Sequence, residues 1–427
     1  MSGEFIIFQK VADNGNYASS MSVTLSADHD SRVAYATPYE VHINLAMGNV
    51  SPVVVVRFMD AMGSIMSRGD IGINEPFYLE ISSNSTTMSR AAIIPLRLSD
   101  IRYGNSSNNN NGSGQIEYKL TFMFDRWADF ITNEKNRCWL GKTYSDVIKE
   151  ISDSYGFYTT VEPSIGAQES IIQPYYTDSQ MLRYCIERAD TQTGDMLLVA
   201  PRIFQNRLDI QSKTTFINDQ SGQASNGNCP VLTMGPKPTD EKQYRQDVLD
   251  NGDFPTTFTI FDSSSDLVAY QKSAAVGVKS YTYDFETAEY TPMDDSFESE
   301  STTTVSKYKY DAPVAEAHFE CATTKTQNII NKNRVNSDIL NFRRFTVATD
   351  GCEWFEVGMV VELVIPSSPY SGVDAVYSES DSGFYIITGI DHRMNFGRVN
   401  TYTTLLTLRR EGVDSSDSSY KQGNRFI

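Results

Sequence analysis

The sequence predicts a mainly β fold of the α+β class, in which two similar antiparallel β-barrel-like modules flank a helix-containing insertion. Residues 93–124 and 385–409 each contain two strand-length runs of alternating apolar and polar side chains, separated by a polar turn. This two-residue period is typical of half-buried strands. Between the two hairpins, residues 143–156 and 177–189 space their apolar side chains as amphipathic helices do. The chain therefore combines a repeated β pattern with a single helical region.

The elements that precede each hairpin are repeated as well. An apolar run at 53–58 is followed by a Gly-containing turn and a second run at 77–81. A run at 342–347 is followed in the same way by a turn at Gly351 and a run at 360–365. The order strand, turn, strand, long hairpin thus occurs twice, which predicts a duplicated antiparallel module. The alternative is a chance alignment, because any all-β protein contains many alternating strands.

These patterns divide the chain into five segments. They are a first β module at 1–128, an α+β insertion with two short helices at 129–250, connecting strands with an acidic loop and a helix at 251–333, a second β module at 334–410, and a polar tail at 411–427. Within the first module, the Asn, Ser and Gly-rich run at 104–114 is interpreted as a hairpin tip rather than as a linker between domains.

Two helices of the insertion are predicted from their capping residues. Thr143 stands three residues before Asp146, and Thr177 stands three residues before Gln180, which is the spacing of a capping box. Gly156 ends the first pattern, as glycine commonly does at a helix C-terminus. Because the apolar residues lie along one face of each helix, both helices are expected to pack on a neighbouring sheet.

The remaining elements have weaker patterns. Further strands are expected at 21–25, 39–45, 196–200, 207–210, 258–261 and 277–284. A helix is expected at 312–336, and loops are expected at 213–253 and at the acidic run 293–304. The last residues, from Glu411, are polar as far as Phe426 and are expected to order only against a partner.

Composition excludes several classes of function. The chain has 427 residues, 40% of them hydrophobic, which is enough for two to four domains with buried cores. Its formal net charge of -18 argues against a nucleic-acid binder and against a protein of anionic membrane surfaces. Five dispersed cysteines argue against a disulfide framework. No apolar run is long enough for a secretory signal or a membrane span, so we expect synthesis in a cytoplasm.

No residue is nominated as catalytic, cofactor-binding or metal-binding. Gly141, Lys142 and Thr143 resemble the end of a phosphate-binding loop, but Asn136 stands where that motif requires a glycine. Helix capping already explains Thr143. With 54 acidic residues, some carboxylate pair could always be proposed for a glycosidase, and nothing in the sequence selects one.

The four histidines are scattered along the chain. They are His29, His42, His318 and His392. His29 lies between two aspartates, which fits a solvated turn better than a metal site. His392 follows an aspartate at a predicted strand end, which fits a neutral, hydrogen-bonded histidine at the rim of the module better than a general base.

Several segments resemble the baseplate hub proteins of contractile-tailed bacteriophages, which are related to the hub portion of type VI secretion spike proteins and to phage late-control tail proteins. Such hubs carry a short helix that ends in a Tyr-Gly turn and then an aspartate-started helix, and residues 139–157 and 176–183 have both features. Residues 357–363, 383–387 and 404–409 are similar to strands of the second module. The resemblance covers most of the chain as an order of elements, although each motif is short.

The resemblance implies a structural protein and no enzyme. Hubs of this kind form homotrimers, in which two tube-type barrels per chain make a pseudo-sixfold ring that adapts a hexameric tail tube to a trimeric central spike. The implied partners are the tail tube protein and the spike protein, with tape-measure and baseplate wedge proteins as further candidates, and no cofactor is implied. The implied location is the tail baseplate of the virion, assembled in the host cytoplasm.

Two further expectations concern the spike and the channel. The chain has no repetitive needle sequence, so a separate polypeptide is expected to supply the spike. The net charge of -18 suggests an acidic channel through which DNA passes without adhering, because like charges repel. No specific contact with nucleic acid is expected.

Two alternatives from other classes stay open. One is another ring-forming virion component, such as a distal tail or neck protein. The other is a secreted carbohydrate-active β protein, which the missing signal sequence disfavours. Only three tryptophans could stack on sugars, and these are Trp127, Trp139 and Trp354.

Overall fold

The structure describes most of the predicted strands and the predicted insertion. A computed structural model describes residues 5–13, 20–27, 37–60, 76–84, 89–105, 116–203, 207–216, 229–236, 240–252, 254–265, 280–284, 289–293, 329, 333, 340, 343–366, 378, 381–396 and 400–410. Four predicted segments lie wholly or largely outside these ranges. They are the hairpin tip 104–114 beyond Asn105, the acidic run 293–304 beyond Met293, the helix 312–336 except for Ile329 and Asn333, and the tail 411–427.

Strands dominate the described part of the chain. In the first half they are β1 (Phe5–Asp13), β2 (Ser20–Ala27), β3 (Thr37–Ala46), β4 (Val53–Asp60), β5 (Pro76–Asn84), β6 (Ser89–Asn105), β7 (Ile116–Phe124), β8 (Glu134–Leu140), β9 (Tyr158–Val161) and β10 (Ser170–Thr177). In the second half they are β11 (Leu197–Arg202), β12 (Arg207–Ser212), β13 (Val231–Met234), β14 (Thr257–Ser265), β15 (Ser280–Asp284), β16 (Glu289–Met293), β17 (Arg343–Asp350), β18 (Val360–Val364), β19 (Gly383–Phe396) and β20 (Asn400–Arg410).

Helices are few and lie in the middle of the chain. The longer ones in the described ranges are α1 (Trp127–Thr132), α2 (Tyr144–Ser154), α3 (Asp178–Arg188) and α4 (Glu241–Asp250). The mainly β class that the sequence predicts is therefore confirmed, with a few helices beside one large mixed sheet. The two capped helices predicted at Thr143 and Thr177 are confirmed as α2 and α3, each with both hydrogen bonds of a capping box.

Four consecutive strands in each half of the chain pair in the same order. In the first half the order is β5-β6-β7-β4, and in the second half it is β18-β19-β20-β17, with every neighbouring pair antiparallel. In both groups, the strand that comes first in the chain pairs with the strand that comes last, as in a Greek key. We call these groups the first strand set and the second strand set.

Both sets belong to one large mixed sheet of 13 strands. They are joined where β3, the neighbour of β4, pairs antiparallel with the second half of β19. The first half of β19 pairs with β18 on the same edge. Strands β13 and β14 continue the second set, because β13 pairs with β18 and β14 pairs with β17. Each of these six strands thus has two neighbours within the group.

The interior consists of two apolar clusters. The larger one contains the inward side chains of both strand sets, among them the fully buried Val56, Phe122, Val347 and Leu406. The smaller one belongs to the insertion, where α2 and α3 pack together beside a three-stranded sheet of β11, β12 and β9. Alternation in the sequence produces this separation, because in a strand every second side chain reaches the core.

One prediction was wrong, namely that residues 213–253 are loops. This stretch contains β13 and α4. The helix begins after Asp240, whose carboxylate accepts hydrogen bonds from the backbone N–H of Lys242 and Gln243. Apart from the exposed Leu249, its apolar residues are the buried Tyr244 and Val248, which are four residues apart and form a narrow apolar stripe. Two residues are too few to give a recognisable helical period.

Candidate functional site

The matched hairpins of the two strand sets share an irregularity at the same place. In the hairpin of β6 and β7, the register shifts by one residue at Ser99. In the hairpin of β19 and β20, it shifts by one residue at Thr388. Such a β-bulge is a specific local feature that bends the strand and increases its twist. The two hairpins therefore agree in register as well as in strand order.

The two bulges are also held by the same hydrogen bond. The Ser99 hydroxyl donates to the carbonyl oxygen of Thr121 at 2.9 Å, and the Thr388 hydroxyl donates to the carbonyl oxygen of Thr407 at 3.2 Å. Relative to the bulge, Thr121 and Thr407 occupy equivalent positions on the partner strands. A short polar side chain of this kind can satisfy a backbone group that the bulge leaves outside the ladder.

Residues at equivalent positions face the same way. Leu120 and Leu406 both follow the bulge pairs and are fully buried. Their partners on the flanking strands, Val56 of β4 and Val347 of β17, are fully buried as well. Each strand set therefore has the same inward face, with Leu120 and Leu406 at its centre.

A row of ion pairs crosses the junction between the two sets. Arg57 of β4 lies 3.1 Å from Glu40 of β3, and Glu40 lies 2.6 Å from His42 Nε2. The same His42 ring approaches Asp391 of β19 at 3.8 Å, and Asp391 accepts a hydrogen bond from Arg393 at 2.6 Å. Because these polar side chains contact one another across three neighbouring strands, and His42 and Asp391 meet across the junction itself, the row favours the observed pairing of β3 with β19.

A turn after β3 connects the junction to the insertion. The backbone N–H of Met47 donates to the carbonyl oxygen of Thr388 at 2.8 Å, next to the second bulge. The N–H of Gly48 donates to Val199 of β11, also at 2.8 Å. The buried Ser51 hydroxyl accepts a hydrogen bond from the N–H of Phe124 at the end of β7. One short segment thus contacts both hairpins and the insertion.

A buried ion-pair network also ties the insertion to the second strand set. Arg202 of β11 is only 7% exposed and donates to Asp209 of β12 at 2.9 Å. Its other end donates to Glu356, in the loop before β18, at 2.8 Å. A buried arginine that bridges two carboxylates from separate parts of the chain fixes their relative position, since leaving any of the charges unpaired would be unfavourable.

Inside the insertion, a completely buried carboxylate holds the start of α3. Asp178 accepts hydrogen bonds from Tyr155 at 2.7 Å and from Gln173 at 3.0 Å, and it pairs with Lys135 and Arg137 of β8. Burial alone would raise its pKa, but the donors around it outweigh this effect and the pKa of Asp178 is lowered. The cluster locks the ribbon of β8 and β10 to the helix.

The residues that resembled a phosphate-binding loop have a structural role. Thr143 accepts a hydrogen bond from the N–H of Asp146 at 3.2 Å, and its own N–H donates to the Asp146 carboxylate at 3.0 Å. The helix-capping interpretation of Thr143 is therefore confirmed. Across the described ranges, no group of three or more His, Cys, Asp or Glu side chains could hold a metal ion.

The two described histidines are both hydrogen-bonded within the sheet. His392 is fully buried, and its Nδ1 lies 2.9 Å from the Tyr402 hydroxyl. Burial lowers the pKa of His392 to about 4, so the ring is neutral at pH 7, as predicted. The predicted position at a rim was wrong, because the long β19 continues past His392 to Phe396. His29 and His318 lie outside the described residues.

The tryptophans are placed for packing. Trp139 is 6% exposed, and its indole N–H donates to Glu150 of α2 at 2.8 Å. Trp127 and Trp354 are half-buried beside the apolar clusters. No helix among the described residues has the length and apolar content that a membrane crossing requires.

Known proteins with similar folds are phage tail proteins. A tail protein from Neisseria meningitidis has 13% sequence identity and a TM-score of 0.53, and the match covers 93% of this chain and 98% of the other. The 43 kDa tail protein of a prophage from Shewanella oneidensis has 9% identity and a TM-score of 0.52, with 90% and 97% covered. No protein-family model matches the sequence, and no curated protein sequence does.

The chain thus has the fold of phage tail proteins. The resemblance to this group that the sequence suggested is confirmed at the level of the fold. A type VI secretion component of Escherichia coli, described as similar to phage T4 tail proteins, matches with 10% identity over 91% of this chain and 77% of that one. Its TM-score of 0.45 is too low to support a structural argument.

Two features of the site were not found from the sequence. The equivalence of the bulge residues Ser99 and Thr388 could have been predicted from the repeated pattern. Each follows an aliphatic residue and stands two residues before an isoleucine, in Leu98–Ile101 and Ile387–Ile390. The network of Arg202, Asp209 and Glu356 could not, because Arg202 and Glu356 are 154 positions apart and belong to no shared motif.

Proposed function

We propose that this chain is the structural baseplate hub of a phage tail, a homotrimeric adapter between a hexameric tail tube and a trimeric central spike. The observation that carries the proposal is the repetition of a four-stranded set with the same order, bulge and hydroxyl-to-carbonyl hydrogen bond. Three chains with two such sets offer six similar edges to a sixfold neighbour. One set per chain would offer only three.

We further propose that each strand set is the centre of a tube-type β-barrel module. The six strands of the second module, β13, β14 and β17 to β20, each pair with two others of the group, which supports a closed arrangement. The first module adds β1, β2 and β3 to its set. The corresponding boundaries are 1–128 for the first module, 129–250 for the insertion, 251–333 for the connection and 334–410 for the second module, except that β13 and β14 are assigned to the second module because they pair with its strands.

The insertion makes the two sides of the ring different. It occurs once per chain, whereas the strand set occurs twice, so three copies present three insertions and six sets. Arg202 and the turn at residues 47–51 hold the insertion rigidly against the junction of the sets. This supports a threefold face, suited to a trimeric spike, on the same body as a sixfold face.

The role needs no catalytic residue and no cofactor. The partners proposed for the hub are the tail tube and central spike proteins, with tape-measure and wedge proteins contacting its outer parts. The hub belongs in the baseplate of the virion, and the net charge of -18 suits a channel that DNA crosses without binding.

The test is the mass of the assembled protein in solution. Light scattering of the purified chain should give three times the 47.9 kDa chain mass, and a complex with the spike protein of the same tail should contain three copies of the chain in addition to the spike. A hexamer would favour a distal tail protein instead of a hub. A stable monomer that hydrolyses a glycan would contradict the proposal and favour the carbohydrate-active class.

A further inference from the structure

An open cavity of about 1250 Å³ lies between the insertion and the junction of the two strand sets, since its lining includes residues of β3 and β7 as well as of the second set. The wall formed by α1 and α3 combines apolar side chains, among them Trp127 and Leu182, with the charged Arg183 and Glu187. The opposite wall includes Arg344 of β17 and Arg409 of β20. Sites for small ligands usually enclose roughly 300 to 1000 Å³, so this volume suits a segment of polypeptide.

The two arginines lie directly opposite each other on neighbouring strands. Arg344 is exposed and Arg409 is half-buried. Like charges in this position destabilise a sheet. Burial, and then the charge of Arg344, lower the pKa of Arg409. In a chain with 54 acidic residues, neither guanidinium has an ion pair among the described residues.

The fold itself does not require arginine at these places. Counted from the bulges, Arg344 and Arg409 are equivalent to Val53 and Met123 in the first strand set. The same four-stranded frame therefore forms with an apolar pair at this position. The positive pair is a difference between two otherwise matching frames, which points to a task outside folding.

The cavity also contains hydrogen-bond donors without an acceptor. Arg409 Nε and Trp127 Nε1 are both buried atoms that have no hydrogen-bond partner within the described part of the chain. Leaving a buried donor unsatisfied costs about 1 to 3 kcal/mol. Two such donors and two positive charges around one cavity call for an oxyanion acceptor with apolar neighbours.

We propose that this cavity binds an acidic segment of a second copy of the chain, whose carboxylates pair with Arg344 and Arg409. The inference rests on the proposed trimeric hub, because a ring places copies side by side. Charge complementarity identifies the occupant: the chain has 18 more acidic than basic residues, and each copy therefore offers carboxylates in excess. Guanidinium groups bind carboxylates bidentately, which gives such a contact a defined orientation.

The test is an Arg344→Val, Arg409→Met variant, which places the residues of the first strand set in the second. Sedimentation over a dilution series should show a dissociation constant for self-association raised roughly tenfold or more, since a desolvated charge pair is lost. The thermal midpoint of the dissociated chain, measured at a concentration well below the dissociation constant, should stay the same or rise, because a like-charge repulsion disappears. An Arg102→Met, Arg245→Met variant, which removes two exposed positive charges elsewhere, should associate as the wild type does.

The outcomes separate this inference from the proposed function. A wild-type chain that forms no trimer, alone or with its spike, contradicts the hub. A trimer with the same dissociation constant in wild type and arginine variant contradicts only the role of the arginines. Inorganic phosphate at millimolar concentration provides a third outcome. If it raises the melting temperature of the wild type but not of the arginine variant, and the substitutions leave self-association unchanged, the site binds a free anion and the proposal of a second copy as occupant is wrong.

Cross-linking identifies the occupant directly. A photoreactive phenylalanine analogue placed at Ser179, which lines the cavity, should capture a peptide from another copy in an equal mixture of ¹⁵N-labelled and unlabelled chains. The captured peptide should be rich in Asp and Glu. Part of the cross-linked product should contain one labelled and one unlabelled peptide, which shows that the two come from different copies. Capture confined to the same chain, or to a peptide without carboxylates, would overturn the proposal.

Discussion

Asp178 shows how one buried side chain organises the insertion. Its two carboxylate oxygens accept hydrogen bonds from four side chains of the turn after α2 and of the ribbon of β8 and β10, namely Tyr155, Gln173, Lys135 and Arg137. The side chain is completely inaccessible to solvent. Replacing it would leave two cations and two polar groups without their acceptor, so its contribution exceeds that of a surface ion pair.

Asp178→Asn should therefore lower the free energy of unfolding by about 3 kcal/mol, because the buried charge pairing is broken. Urea denaturation followed by circular dichroism measures this. Asp146→Asn is the matched control, since Asp146 is an exposed capping residue and its loss should cost only about 1 kcal/mol. Equal effects of the two substitutions would show that the buried cluster contributes nothing special.

His392 gives the stability of the sheet a pH dependence. In the folded chain its pKa is lowered from 6.5 to about 4, whereas the unfolded chain keeps the ordinary value. Between these two pH values the unfolded state binds more protons than the folded state. The stability associated with neutral, buried His392 is therefore fully present above pH 6.5 and is lost as the pH falls towards 4. The shift corresponds to about 3 kcal/mol.

Unfolding of the wild type and of His392→Gln should be compared from pH 4 to pH 7. The wild type should lose more stability than the variant as the pH falls, since glutamine does not titrate. Tyr402 and the buried Glu353 surround the same position, so the difference between the two proteins isolates the histidine. Parallel pH profiles would show that the pKa of His392 is the same in the folded and unfolded states and is not lowered by burial.

The two hairpins agree in detail that strand patterns alone do not require. A bulge at the same register position, closed by a hydroxyl of Ser99 or Thr388, occurs once in each. Alternation in the sequence predicted both hairpins, and capping residues predicted both helices, because these signals are local. The strands β14 and β18 were predicted, but β13 and its parallel pairing with them were missed, since both partners are distant in sequence and four residues carry no period.

Ser99→Ala and Thr388→Val should destabilise the chain by similar amounts, about 1 kcal/mol each, because each removes one hydroxyl-to-carbonyl hydrogen bond. Thermal unfolding of both variants and of the double variant provides the comparison. If only one of the two substitutions changes stability, the two bulges are not equivalent, and the duplication does not extend to the hydrogen bonds that hold them.

For the whole molecule, the decisive feature is that two matching strand sets share one sheet and one core. The ion pairs from Arg57 to Arg393 cross the junction, and the larger apolar cluster continues through it. A chain built in this way acts as one rigid unit with two similar edges. In the proposed ring, the number of insertions equals the number of chains, and the number of strand sets is twice that.

Leu406→Asp should prevent assembly, because it buries an unpaired charge at a fully inaccessible position of the second set. Leu120→Asp, at the equivalent position of the first set, should have the same effect. Thr401→Asp introduces the same charge at an exposed position of β20 and is the control. Light scattering at equal concentration should detect trimers only for the control and the wild type.

The arrangement of strand sets around the ring is best measured by electron cryomicroscopy of the assembled tail tip. The density should contain three chains whose six hairpins, alternating between β6–β7 and β19–β20, lie at equal radius and near 60° intervals around one axis, with three insertions on the side of the spike. Six chains in the ring, or a second strand set lying outside the circle of the first, would contradict the adapter role.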